Sequence, residues 1–146
     1  MMVNEQLSSA LSKIVVAHFW NYYINSFQAL RLLVEHKGYE NIHYVEGWVV
    51  VTFADNFAVP TEHAWLEADD EIIDVTYYSG HLVHNNVDYF VANRYDYDQV
   101  TKHFKDVGIL PITQHRDANN HKAMSASLSV VGVDLNSYFD SKYGKI

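Results

Sequence analysis

The chain has 146 residues, 49% of them hydrophobic and 14% aromatic, which is typical of one folded domain with a substantial core and excludes a disordered chain. Its formal net charge of −8 argues against binding to a phosphate backbone as a general mode, although Lys102, Lys105, Arg116 and Lys122 leave room for a local basic patch. Because it contains no cysteine, disulfides, thiolate nucleophiles and thiolate zinc sites are excluded.

The N-terminal residues and the longest apolar run bear on where the protein is expected in the cell. The N-terminal residues lack the positive region of a secretory signal. The longest apolar run, around Trp48 to Ala54, is too short to span a bilayer. These features predict a soluble, acidic, cytoplasmic protein without a membrane partner.

Apolar residues at steps of three and four predict helical structure from Gln6 to His36. Poor helix formers near the middle divide this region into two predicted helices. The second is expected to begin near Asn21 and to end at Gly38, since glycine suits a C-terminal cap. Apolar side chains spread around it, so we expect it to be buried on more than one face.

Beyond Ile42 the sequence becomes rich in β-branched and aromatic residues, which predicts a long strand to Phe53 with a bulge or a close backbone approach at Gly47. Three further features follow: a loop to Pro60, a strand at His63–Leu66, and a strand at Glu71–Val75 after a turn at Asp69-Asp70. Three strands with short connections predict an antiparallel meander packed on one face by the second helix.

The second half of the chain gives weaker patterns. Val87–Val91 is interpreted as a short strand or a helical turn, and Asp98–Val107 as a helix ended by Gly108. Serines alternating with apolar residues favour a strand over Ala123–Val133, and Asp134–Lys142 would form a closing helix. Together the elements predict an α+β fold, with a central helix packed on an antiparallel β-sheet.

The most informative polar residues are His63 and Asp74, which each lie within a predicted apolar strand. Neighbouring antiparallel strands would set the imidazole beside the carboxylate, as a general base requires of its orienting partner. A buried carboxylate also needs such a partner to offset its desolvation. The alternative interpretation is a structural histidine, with Asp74 at the start of a turn.

Three motifs around these residues resemble a group of small bacterial and phage proteins. The motifs are Tyr44-Val45-Glu46-Gly47-Trp48, Pro60-Thr61-Glu62-His63-Ala64-Trp65 and Ile73-Asp74-Val75-Thr76. That group is similar to the transglutaminase-like or papain-like cysteine hydrolases, in which a nucleophilic cysteine begins a central helix and a histidine and an aspartate lie on neighbouring strands. The resemblance implies one transglutaminase-like domain over residues 1–146, with its motif-bearing core at about 20–80 and an unassigned C-terminal half.

The resemblance implies roles for individual residues. His63 matches the base of the family and Asp74 its orienting acid. The helix motif Cys-Tyr-any-Asn-Ser/Ala matches Tyr22-Tyr23-Ile24-Asn25-Ser26 except at its first position, where Tyr22 replaces the cysteine. A phenol is bulkier than a thiol and has an ordinary pKa of about 10, so loss of cysteine-type hydrolysis is expected. Val75 replaces the proline that follows the aspartate in the family.

The expected function is therefore that of a catalytically inactive relative, which binds a small ligand or a protein partner at the former active site. A phage-encoded inhibitor of a host defence system, acting in the host cytoplasm, is the setting that the resemblance suggests. The ligand-binding residues would be Trp20, Tyr22, Asn25, Tyr44, Glu46, His63 and Trp65.

Two alternatives remain open. The first is an active hydrolase or transferase that uses His63 and Asp74 with Ser26, Tyr22 or a water molecule as nucleophile. The second is a structural or interaction protein without a pocket, in which aromatic residues such as Trp48 belong to the core. No cofactor is predicted. No metal site is predicted either, because the histidines at 81, 84, 115 and 121 lack the spacing of a zinc site and are interpreted as solvated loop residues.

Overall fold

The computed structural model describes residues 1–15, 21–78, 84, 86–134, 136–137 and 140. In these ranges the elements are β1 (Met2–Val3), α1 (Glu5–Ser12), α2 (Tyr22–Lys37), β2 (Ile42–Thr52), β3 (Ala58–Ala68), β4 (Glu71–Ile73), β5 (Asn86–Tyr95), α3 (Tyr97–Val107) and α4 (Ala118–Val130). The strands form one sheet in the order β1-β4-β3-β2-β5, in which only the β1–β4 pair is parallel. The predicted α+β class is confirmed, and so is the antiparallel meander of β2, β3 and β4.

Helix α2 has the predicted boundaries. The side chain of Asn21 caps its first turn by accepting a hydrogen bond from the backbone N–H of Ile24. Gly38 ends it in the left-handed conformation, with φ of 71°. One side of the helix packs against the sheet and buries Ala29, Leu30 and Leu33 in a cluster with Tyr44, Ala64 and Leu66.

The long strands β2 and β3 pair along their whole length, with Gly47 opposite His63. Strand β3 begins at Ala58, so Pro60 lies inside a strand and not in the predicted loop. Proline is tolerated there because β4 pairs with β3 only over Leu66–Ala68, which leaves the earlier part of β3 with a free edge among the described residues. The predicted irregularity at Gly47 is confirmed as a register shift between β2 and β5.

Two strand predictions need correction. Strand β4 ends at Ile73 and not at Val75, because the side chain of Asp74 accepts hydrogen bonds from the backbone of the next residues and turns the chain. Most of the segment predicted as a strand over Ala123–Val133 belongs to helix α4, which ends at Val130. Its buried residues follow helical spacing and comprise Asn120, Ala123, Met124, Ser127 and Leu128.

Helix α3 confirms the prediction of a helix ended by Gly108. Strand β5 is longer than the predicted Val87–Val91 and pairs with β2. The predicted closing helix over Asp134–Lys142 lies largely outside the described residues. None of the helices described has both the length and the apolar character needed to cross a membrane.

Side chains alternate between the two faces of the sheet, and this alternation positions the candidate site. We call the side against which the described helices pack the helix face; it carries Tyr44, Glu46, Trp48 and Leu66. The other side, which we call the tyrosine face, carries Val45, Val49, Trp65, Ile72 and Val87, with Tyr77, Tyr78 and Tyr89 packed against them.

Candidate functional site

His63 and Asp74 meet on the tyrosine face. Ile73 pairs with Leu66, so the next residue, Asp74, falls beside Trp65 and projects to the same face as His63. Nε2 of His63 lies 2.9 Å from Oδ2 of Asp74, and the two side chains are 0% and 1% exposed. The predicted pairing of imidazole and carboxylate is confirmed.

Four hydrogen bonds from described residues reach the Asp74 carboxylate. Besides His63, Oδ2 receives the hydroxyl of Tyr89 at 2.8 Å, and Oδ1 receives the backbone N–H groups of Thr76 at 2.9 Å and Tyr77 at 3.1 Å. Burial alone would raise the pKa of Asp74, but the charge and hydrogen bond of His63 and the bonds from Tyr89 and Tyr77 hold it below its usual value. The carboxylate is therefore ionised at neutral pH and accepts the proton on Nε2.

The other ring nitrogen of His63 is unsatisfied. Nδ1 is buried and has no hydrogen-bond partner among the described residues. In the neutral ring, a proton on Nε2 leaves Nδ1 as an acceptor. The imidazole is enclosed by aromatic rings: Tyr22 and Tyr77 meet it edge-on with centroids 5.0 Å and 4.7 Å away, and Trp65 stacks at 6.1 Å.

Tyr22 is the first residue of α2 and reaches His63 past the free edge of β3. Burial raises the pKa of Tyr22, so its phenol is protonated at neutral pH and is a poor nucleophile. One turn further along, the hydroxyl of Ser26 donates to the carbonyl oxygen of Ala64 at 2.9 Å in a buried position. Catalysis by Ser26 would require this hydroxyl to leave the carbonyl and turn towards His63.

Other candidate residues lie apart from this pair. Tyr44 and Glu46 are on the helix face, where the carboxylate of Glu46 accepts from the hydroxyl of Tyr44 at 2.6 Å and from the backbone of Ile112 and Thr113. Glu46 thus fixes the loop that follows α3. Asn25 is fully buried within α2.

The tryptophans have separate positions. Trp65 lies beside His63 on the tyrosine face. Trp48 is 4% exposed and packs against α4, where its Nε1 donates to Asn120 at 3.1 Å, so its assignment to the core is confirmed. Trp20 falls outside the residues that the structure describes.

Sequence analysis missed Tyr89 and Ser8, which both hold Asp74. Tyr89 reaches Asp74 from β5, a strand whose register no local pattern predicts. Ser8 accepts a hydrogen bond from the backbone N–H of Asp74 at 3.0 Å. A polar residue inside the apolar stripe of α1, between Leu7 and Leu11, was the available signal for Ser8.

Three cavities mark other parts of the surface. One of about 20 Å³ lies between Tyr23, Glu62 and Asn120; one of about 250 Å³ lies beside α2, and one of about 310 Å³ beside the β3–β4 turn. Neither His63 nor Asp74 lines any of the three.

Within the described ranges, no three histidine or acidic side chains converge as a metal-binding group. Comparisons with protein-family models, with curated proteins and with solved structures gave no match.

Proposed function

We propose that the protein is a catalytically inactive relative of the transglutaminase-like cysteine hydrolases and that it binds a ligand or a protein partner at the His63 site. One arrangement carries the proposal. The first residue of the central helix, Tyr22, lies against the ring of His63, whose Nε2 is bonded to Asp74. A helix start, a histidine and an aspartate in this order are what the resemblance implies for nucleophile, base and orienting acid.

The chemistry at the three positions supports binding in place of hydrolysis. The phenol of Tyr22 remains protonated, and the hydroxyl of Ser26 is bonded to the backbone. His63 nevertheless keeps a ring oriented by Asp74, and its Nδ1 has no hydrogen-bond partner among the described residues. Such a ring recognises a partner group without needing a nucleophile. An inhibitor of a host defence system, encoded by a phage, remains the setting that the motifs suggest.

The experiment restores the missing thiol. Because the chain contains no cysteine, the Tyr22→Cys variant carries a single thiol whose alkylation by iodoacetamide reports on position 22 alone. A cysteine at a helix N-terminus beside a histidine has a pKa between about 3.5 and 7.5, against about 8.5 for an ordinary thiol. At pH 6, a pKa of about 6.5 raises the thiolate fraction roughly 75-fold. The lower nucleophilicity of the weaker base reduces the gain in alkylation rate to about tenfold.

Two variants serve as controls. Tyr23→Cys places a thiol one residue along the same helix, and no ring contact joins Tyr23 to His63 in the described residues. The double variant with His63→Gln removes the imidazole. We expect Tyr22→Cys to react about tenfold faster than either control at pH 6. Equal rates for the cysteines at 22 and 23, or an unchanged rate after loss of the imidazole, would contradict the proposal.

A further inference from the structure

Nδ1 of His63, which has no hydrogen-bond partner among the described residues, restricts the chemistry of a ligand for this site. In the neutral ring, Nε2 carries the proton and donates it in a hydrogen bond to Asp74, so Nδ1 is an acceptor. An acceptor left unpaired in a protein interior is costly, so a group that donates to it stabilises the folded protein. The adjacent ionised carboxylate of Asp74 disfavours an anionic ligand here. The group that fits is a neutral hydrogen-bond donor.

The aromatic rings around His63 restrict the shape of a ligand and the position it can take. Trp65 is fully buried in the sheet, and the turn at Tyr77 is held by two hydrogen bonds to Asp74 from the backbone of residues 77 and 78. Tyr22 and Tyr77 are both half-buried, but Tyr77 packs against the buried cluster of the tyrosine face, whereas Tyr22 stands in the first turn of α2, beside the part of β3 that β4 leaves unpaired. Rotation of the Tyr22 side chain breaks its hydrogen bond with Tyr23 but no backbone hydrogen bond of the helix. Of the three rings, that of Tyr22 is the one that a ligand can replace.

We infer that the His63 site takes a small, neutral aromatic ligand with a hydroxyl or N–H donor, of about the size of a phenol. The ligand occupies the position of the Tyr22 ring and donates a hydrogen bond to Nδ1 of His63. Tyr22 moves outwards when it binds. This inference rests on the proposed function and assigns the ligand class of the same site.

The test compares p-cresol with toluene, which has the same ring and methyl group but no donor. Each is titrated into histidine-¹⁵N-labelled protein, and the Nδ1 resonance of His63 is identified by its loss in His63→Gln. The proteins are the wild type, Tyr22→Ala, and Tyr23→Ala as a matched control. If Tyr22→Ala does not fold, Tyr22→Val replaces it. The titration of the wild type with p-cresol and toluene tests the inference without either variant.

We expect saturable binding of p-cresol to the wild type with a shift of the His63 Nδ1 resonance. Binding to Tyr22→Ala is at least about tenfold tighter because no ring has to leave, and Tyr23→Ala binds like the wild type. Toluene binds each protein at least about tenfold more weakly, since it leaves the acceptor unpaired.

Three results would overturn the inference. The first is equal affinity for toluene and p-cresol. The second is binding to Tyr22→Ala alone, because an apolar cavity made by truncation binds aromatic molecules without being a natural site. The third is absence of p-cresol binding to any of the proteins. If Tyr22→Cys still reacts rapidly, each of these results rejects the ligand class and leaves the proposed function standing.

Discussion

Tyr89 offers the sharpest measurement of how the pair is held. Its hydroxyl donates to Oδ2 of Asp74 at 2.8 Å, and the Tyr89→Phe variant removes that oxygen while keeping the ring that meets Trp65 at 4.9 Å. A hydrogen bond to a charged acceptor contributes about 1.5–3 kcal/mol to stability. We expect the variant to lower the free energy of unfolding by about 2 kcal/mol at pH 7, which corresponds to a fall in Tm of roughly 4–8 °C.

The chain contains a matched control for this variant. The hydroxyl of Tyr97 also donates to a carboxylate at 2.8 Å, that of Glu35, but at an exposed position. Tyr97→Phe should therefore lower stability by about 1 kcal/mol or less. Urea unfolding of both variants, monitored by far-UV circular dichroism, gives the two free energies. Equal losses would refute the assignment of Tyr89 as a support for Asp74.

The loss in Tyr89→Phe should also depend on pH. The folded-state pKa of Asp74 is lower than its usual value, so the ionised carboxylate adds stability above the unfolded pKa of about 3.9. This stability disappears as the pH falls through the folded pKa. Because Tyr89 strengthens the charged form, the stability difference between wild type and Tyr89→Phe should shrink as the pH falls from about 4 through the folded pKa of Asp74. A constant difference over that range would show that the hydroxyl does not act through the charge of Asp74.

Two further predictions concern the frame of the site. In Gly47→Ala, the new Cβ would clash with the backbone carbonyl oxygen of Phe90 in β5, so we expect the free energy of unfolding in urea to fall by about 3 kcal/mol. Gly38→Ala has free space around the new Cβ but a φ of +71°, and should lose only about 1 kcal/mol. In Glu46→Gln, the amide is a weaker acceptor than the carboxylate, so the rate of hydrogen exchange at the backbone amides of residues 112 and 113 should rise by about tenfold or more. The control Glu62→Gln, at a half-exposed position, should leave these rates unchanged. Similar losses of unfolding free energy in the two glycine variants, or unchanged hydrogen exchange in Glu46→Gln, would contradict these assignments.

The sequence predicted the histidine–aspartate pair because its geometry is local. The two-residue turn at Asp69-Asp70, with both φ values positive, makes Ala68 face Glu71. Counting back from the turn then sets Asp74 beside Trp65 and on the same face as His63. Helix α2 was predictable for a similar reason, since its cap residues and its apolar spacing lie within one segment.

Other features depend on contacts between distant segments. Tyr44 and Glu46 share a motif with Gly47, but strand alternation places them on the face opposite His63. Helix α4 was mistaken for a strand because serine and alanine suit either period, and only its burial against Trp48 decides which residues face inwards. Tyr89 was not predictable, since its role requires the pairing of β5 with β2.

The energetics of the pair argue that stability alone does not explain it. Burying an ionised carboxylate is costly even when a histidine is bonded to it, so a histidine and an aspartate at 0% and 1% exposure are weak evidence for a purely structural role. Most buried histidines have both ring nitrogens bonded, whereas Nδ1 of His63 lacks a partner in the described part of the chain. Within the described part of the chain the structural interpretation leaves this cost without compensation, because Nδ1 has no hydrogen-bond partner and the rings of Tyr22, Tyr77 and Trp65 surround the imidazole. A bound group that donates to Nδ1 supplies the compensation. The two interpretations therefore differ at this nitrogen: a binding site predicts that a ligand donates to Nδ1, and a structural role predicts that no ligand does.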